Sequence, residues 1–304
     1  MKIKTNVDKC ELFGVTPMHL IKDVENVRIG DVWNKEGYRL MAVNTDGDTT
    51  STQTNTTVTF AILMDDVCLA RITFKNSRKF YGVWTMRVSN RTFYSSTLYP
   101  NGLYGYKYSD FDFIPIIIND LGLTLMTVRK LEIDVDVNVK AGKRLRDIRK
   151  NTKDYDLILH GRKVGENARL NGCGLWFEYS RNNLCNHPTE YIRNAKGLSV
   201  KTYSKRDEIS NSNKDYIADW NGWNGKMWRS EVTTKNPDIL RWIEYTKNQD
   251  YTLKTFDLMQ FLHFLSIPAY RLAFWRYQSQ RLIRYNRKRD NRKVDMYDVI
   301  IGKI

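Results

Sequence analysis

Short apolar runs rich in aromatic and β-branched side chains, broken by polar turns, mark much of the first half of the chain, and strict apolar–polar alternation, which gives a strand two unlike faces, appears further along. Residues 58–63, 69–74 and 80–88 are dense in aromatic and β-branched side chains and read as short strands separated by turns. The polar stretch 44–56 lacks apolar periodicity and reads as a loop or an exposed hairpin edge. Residues 113–126 form a helix or a buried segment, interrupted by Pro115 and Gly122. Alternation is strict over residues 131–137, and residues 155–204 return to short strands and turns. Toward the C-terminus the period changes: Leu258, Phe261, Leu262 and Leu265 recur at helical spacing. Pro268 sits where a first helical turn tolerates it, and a second run follows through Leu272, Trp275 and Leu282. The expected fold is α+β, a mainly antiparallel sheet over residues 1–245 followed by a basic helical module over residues 246–304.

Three strand-like segments carry polar residues in a common phase. In residues 131–137, Glu132, Asp134 and Asp136 share one face, with Leu131, Ile133, Val135 and Val137 on the other. Lys201 and Tyr203 share a face opposed to Leu198, Val200 and Thr202, and Arg229, Glu231 and Thr233 share another. Each segment thus has a chemical face and a face suited to a core. Seen alone, an acidic alternating strand is most simply a solvated sheet face, a strand tyrosine is packing, and Glu231 beside Arg229 is a surface ion pair of little energetic weight.

Charge narrows the partner. The 304 residues carry a formal net charge of +15, which draws in polyanions such as nucleic acid, ribosomal surfaces or anionic membranes. Two basic clusters suit phosphate contact. Lys143, Arg144, Arg146 and Arg149 lie on a short helix whose narrow apolar stripe is Leu145 and Ile148. The segment from Arg281 to Lys293 includes Arg284, Arg287, Lys288, Arg289, Arg292 and Lys293 against Asp290 alone. No apolar run approaches the roughly 18 residues needed to cross a bilayer, and no signal-peptide stretch follows the N-terminus. The expectation is a soluble intracellular protein. Cys10, Cys68, Cys173 and Cys185 have no paired framework and read as free thiols. A zinc site from Cys173, Cys185 and His187 lacks the two close ligand pairs such sites use.

The order of motifs, an acidic strand, then Lys201-Thr202-Tyr203-Ser204-Lys205, then Trp228-Arg229-Ser230-Glu231-Val232-Thr233-Thr234-Lys235, resembles the replication initiators of staphylococcal rolling-circle plasmids, whose relatives serve phages and integrative elements. The likeness covers roughly residues 125–240. It implies that Tyr203 is the nucleophile that cuts one DNA strand, and that Glu132, Asp136 and Glu231 hold a divalent metal. The chain departs from the family at Lys130-Leu131-Glu132, where an Arg-x-Asp is usual, and at Thr233, where a second acid often stands. Asp134, on the same face, is a substitute ligand.

The chemistry is consistent with that role. A phenol ionises near pH 10, and Lys201 and Lys205 supply the positive charge that favours phenolate. Carboxylate oxygens prefer Mg²⁺ or Mn²⁺, and Arg229 can pair with Glu231 or clamp a phosphate. The four histidines form no His-hydrophobic-His pair, unlike the histidine-ligated nickases. The reading is a rolling-circle initiator that leaves a phosphotyrosyl bond and a 3′-hydroxyl primer on origin DNA. By resemblance it would be a homodimer that recruits a host helicase. The alternatives are a relaxase-like nickase of a mobile element and a non-catalytic DNA-binding protein of the same fold. Tyr179 and Tyr191 are the next nucleophile candidates.

Overall fold

The computed structural model describes residues 1–47, 56–64, 67–76, 81–94, 113–165, 175–178, 189–194, 196–212, 214–223 and 225–304. In chain order the first elements are β1 (Ile3–Val15), α1 (Met18–Glu25), β2 (Val32–Lys35), β3 (Tyr38–Gly47), β4 (Thr56–Met64), β5 (Val67–Asn76) and β6 (Val83–Val88). The middle of the chain forms α2 (Phe113–Asp120), β7 (Thr124–Val137), α3 (Ala141–Lys150), β8 (Tyr155–Leu159), β9 (Arg162–Lys163), β10 (Leu175–Glu178), β11 (Thr189–Arg193) and β12 (Ser199–Ser204). Then come α4 (Lys205–Ser212), α5 (Asp215–Asn221), β13 (Trp228–Thr234), α6 (Asn236–Gln249), α7 (Leu258–Phe264), α8 (Pro268–Leu282), β14 (Ile283–Arg287), β15 (Lys293–Asp295) and α9 (Met296–Ile301). The fold is α+β with antiparallel pairing.

Local chemistry explains the main boundaries. Pro115 lies in the first turn of α2, where its missing N–H has no intrahelical partner to lose. Gly122, at φ +61°, ends that segment and lets the chain turn into β7. Pro268 opens α8. The chain departs from expectation after Leu282: the basic segment up to Lys293 is a β-hairpin rather than the end of a helix. Ile283 and Tyr285 alternate as buried residues and pair with Leu159 and Leu157 of β8. Asn291 takes up the left-handed φ of the turn. Extended backbone buries two apolar side chains on one face here and leaves the intervening charges on the other.

The chain forms two compact units. The first comprises Met1–Val7, Glu132–Trp242 and Ile267–Ile304, and the second Asp8–Leu131 and Ile243–Ser266. The residues set apart by sequence as a C-terminal module are therefore divided: 246–266 belong to the second unit and 267–304 to the first. β1, β7 and α6 each contribute to both. In the second unit the strand order is β7-β1-β6-β5-β4-β3-β2, and Leu12, Phe60, Ile72 and Met86 fill one face. In the first unit the order is β10-β11-β12-β13-β7-β1, beside a smaller sheet ordered β15-β14-β8-β9.

One face of the first unit's main sheet is covered by helices. Trp275 of α8 donates its indole N–H to the carbonyl of Ser230 at 3.0 Å, and Ser230 exchanges a 2.9 Å hydroxyl bond with Thr202. From α3, Leu145 and Ile148 are buried, and Gly142 meets the Trp228 ring so closely that an added Cβ would lie 2.3 Å from it. The other face carries the candidate chemistry.

Candidate active site

Register aligns the polar residues. β12 and β13 pair antiparallel with Lys201 opposite Glu231 and Tyr203 opposite Arg229, so all four project from one face. Lys201 Nζ lies 2.8 Å from Glu231 Oε1. Tyr203 donates its phenolic hydrogen bond to Glu231 Oε2 at 3.3 Å. The ammonium groups of Lys201 and Lys205 stand 5.3 and 5.7 Å from the Tyr203 ring centroid. Glu231 is buried, while Tyr203 and Lys201 are half-buried.

β7 lies beside β13. Thr233 donates to Glu132 at 3.3 Å, and Arg229 bonds Asp136, contacts in the reversed order of an antiparallel pair. Glu132 and Glu231 bring carboxylate oxygens within 4.8 Å of one another, a separation that one cation can bridge. Thr233 thus offers Glu132 a hydrogen-bond donor where a second acid would repel it.

The other two acids of the row have different work. Arg229, fully buried, donates from Nε and Nη2 to the two carboxylate oxygens of Asp136 at 2.8 and 2.7 Å, and its Nη1 lies 2.8 Å from Asp134. Asp134 also accepts the backbone N–H of Asn6 at 2.9 Å, and Asp136 the side-chain amide of Asn221 at 3.1 Å. Sequence assigned Asp134 and Asp136 to the metal and Arg229 to Glu231 or a phosphate. In the structure the three form a closed ion-pair cluster, because both faces of β7 are covered from Leu131 to Val137 and buried charges must be matched. A solvated acidic face is excluded by the same burial.

Lys205, buried at the start of α4, is anchored by Glu208, which Lys214 also contacts at 3.1 Å. Burial alone would raise the Glu208 carboxyl, but Lys205 and then Lys214 hold it below the ordinary carboxylate range. The sequence reading missed Glu208, although its i,i+3 spacing from Lys205 was a visible signal. It also missed Asn6 and Asn221, which have no such signal. Lys4 donates to the Trp220 carbonyl at 2.5 Å and lies over the Trp220 ring. Burial, then Lys2, pulls its ammonium below the usual range against the opposing field of Asp136.

The basic clusters are only partly open. On α3, Lys143 is exposed and Arg146 half-buried, Arg144 donates to the Ile300 carbonyl at 2.6 Å, and Arg149 is buried 3.3 Å from Glu190. Arg149 follows Leu145 by four residues and so shares its inward face. In the hairpin, Arg284 is half-buried, Arg287 makes two bonds to Asp290, and Lys288 donates to the Thr152 carbonyl, leaving Arg289, Arg292 and Lys293 outermost. The hydrogen bond from Arg287 is the main reason the Asp290 carboxyl falls to about 2. Tyr191, opposite Lys201 on β11, shares the chemical face. Tyr179, Cys173, Cys185 and His187 lie outside the described residues. Trp223, Trp228, Trp242 and Trp275 are core, and Trp220 is half-buried.

Comparison of the chain with protein-family models and with curated proteins finds no match, so the role of this face is argued from its own geometry.

Proposed function

We propose that the chain is a metal-dependent DNA nickase of the rolling-circle initiator type, with Tyr203 as nucleophile. The observation that carries this reading is Tyr203, a half-buried side chain whose hydroxyl is bonded to a buried carboxylate that also holds Lys201. In the proposed step Tyr203 Oη attacks a backbone phosphorus, its proton passes to water, and the 3′-oxygen leaves as a hydroxyl after gaining a proton from water. A phosphotyrosyl bond replaces the phosphodiester. Lys201 and Lys205 stabilise negative charge on the phenol oxygen. Arg229 acts as a positioning residue: it fixes β7 against β13 and thereby sets Glu132 beside Glu231.

The donor set fits a hard divalent cation, since two carboxylates on neighbouring strands converge without soft ligands. Mg²⁺ or Mn²⁺ held by Glu132 and Glu231 would draw charge from the scissile phosphate. Asp134 and Asp136, engaged by Arg229, take no part in that shell. The test is a titration of nicking activity against Mn²⁺. Glu132→Gln and Glu231→Gln should each raise the concentration for half-maximal cleavage at least about tenfold, as expected for loss of a charged ligand. Unchanged half-saturation in both variants would move the metal elsewhere.

A further inference from the structure

The second unit has a chemical face of its own, outside the site just described. Its sheet buries Leu12, Met86, Ile72 and Phe60 on one side. On the other, register brings polar residues into two rows. Glu11, Arg87 and Arg71 are successive cross-strand partners, and so are Phe13, Thr85, Thr73 and Thr59. Lys9 flanks the first row and Arg129 stands over the Phe13 ring at 5.9 Å. Of these, Glu11, Thr59, Arg71, Thr73, Thr85, Arg87 and Arg129 line a shallow groove across β7, β1, β6, β5 and β4, and Phe13 adjoins it through its register with Thr85.

Its charge is one-sided. Lys9, Arg71, Arg87 and Arg129 surround one acid, Glu11, which lies 3.2 Å from Lys9 and 3.3 Å from Arg87. The Arg87 side chain is 72% exposed, and Arg71 and Arg129 are also exposed. Beside these cations stands a line of threonine hydroxyls, with Thr59 and Thr73 linked at 3.0 Å, and the line ends at a half-buried aromatic ring. Guanidinium forks and hydroxyls suit phosphate oxygens, and a ring at the end of the row suits a base. Reading a duplex through its major groove calls for a protruding helix or ribbon. A broad sheet face instead matches the way single strands are laid across strands.

We propose that this face binds single-stranded nucleic acid, with Arg71, Arg87 and Arg129 on the phosphates and Phe13 beneath a base. The inference deepens the nicking reading, which requires a single-stranded substrate, but its test does not depend on cleavage. Fluorescent (dT)20 is titrated against the full chain at several salt concentrations and followed by anisotropy. The triple variant Arg71→Ala, Arg87→Ala, Arg129→Ala should bind at least about tenfold more weakly, with a log–log salt slope smaller by about 2, given roughly 0.7 for each phosphate neutralised on single strands. Glu11→Gln should bind more tightly than the wild type, a gain that misfolding cannot produce. Unchanged affinity and slope in the triple variant would overturn the proposal and leave an ordinary solvated sheet face. Preferential competition by a duplex of equal length would overturn the single-strand assignment. Loss of (dT)20 binding in the triple variant, together with wild-type protein that forms no tyrosyl adduct, would uphold this face and reject the nicking reading.

Discussion

At the residue scale, Arg229 and Glu231 stand two positions apart on β13 and do different work. Arg229 sits in a buried cluster with Asp134 and Asp136, and removing one member of such a cluster leaves uncompensated charge in the interior. Arg229→Gln should therefore cost about 3–5 kcal/mol, read as a fall in the urea midpoint at constant slope. A cost below about 1 kcal/mol would mean that the cluster is solvated. Asp134→Asn should share this stability phenotype, while Glu132→Gln should alter the metal requirement instead. Glu190 gives a second residue-scale test. Burial pushes its carboxyl up to about 7, against the opposing fields of Arg149 and Arg146. The folded protein then holds a proton that the unfolded chain has already released, so this group's contribution to stability falls as pH rises from about 4.5 to 7. Unfolding curves for the wild type and Glu190→Gln should diverge across that window, with the variant gaining relative stability toward neutral pH. A constant difference would contradict the shift.

At the scale of elements, packing of α3 on β13 depends on Gly142 facing the Trp228 ring. Gly142→Ala should destabilise the chain by about 1–3 kcal/mol through overpacking, and an unchanged melting temperature would show that the helix slides freely. This close approach was invisible in sequence, because it joins residues far apart in the chain. Other features were legible. β4, β5 and β6 announced themselves by aromatic and β-branched content, α8 by helical spacing and its first-turn proline. The shared face of Lys201 and Tyr203, and that of Arg229 and Glu231, each followed from the period of two. Which acids would meet Arg229 was not legible: that depends on β7 lying next to β13, a pairing that no local pattern encodes. Nor was the hairpin of β14 and β15, because Leu282, Ile283 and Tyr285 suit either period and the partner strand β8 lies far earlier in the chain. The loop expected over residues 44–56 was partly strand, since β3 extends to Gly47.

For the whole molecule, the net charge of +15 predicts salt-sensitive association with polyanions such as nucleic acid, and burial narrows which cations are open to it. Arg289, Arg292 and Lys293 crown the hairpin, whereas Arg144, Arg149, Arg287 and Lys288 already have partners within the protein. Changing Arg289, Arg292 and Lys293 together to glutamine should flatten the salt dependence of duplex binding by up to roughly 0.9 for each phosphate that is no longer neutralised, and should leave the melting temperature nearly unchanged. An unaltered slope would reject the hairpin as a phosphate-binding element. Among the described residues, no helix is long and apolar enough to cross a membrane.

Whether Tyr203 supplies the oxygen that attacks the DNA strand is open to one direct measurement. Supercoiled DNA of the replicon that encodes the chain is incubated with protein and Mn²⁺, the reaction is stopped with detergent, and the covalent adduct is digested and mapped by mass spectrometry. The expected result is a nucleotide-linked phosphate on the peptide containing Tyr203, lost with a chelator and lost in Tyr203→Phe, whose melting temperature matches the wild type. An adduct of wild-type yield in Tyr203→Phe, or one mapped to Tyr191 or any other residue, would contradict the proposed mechanism.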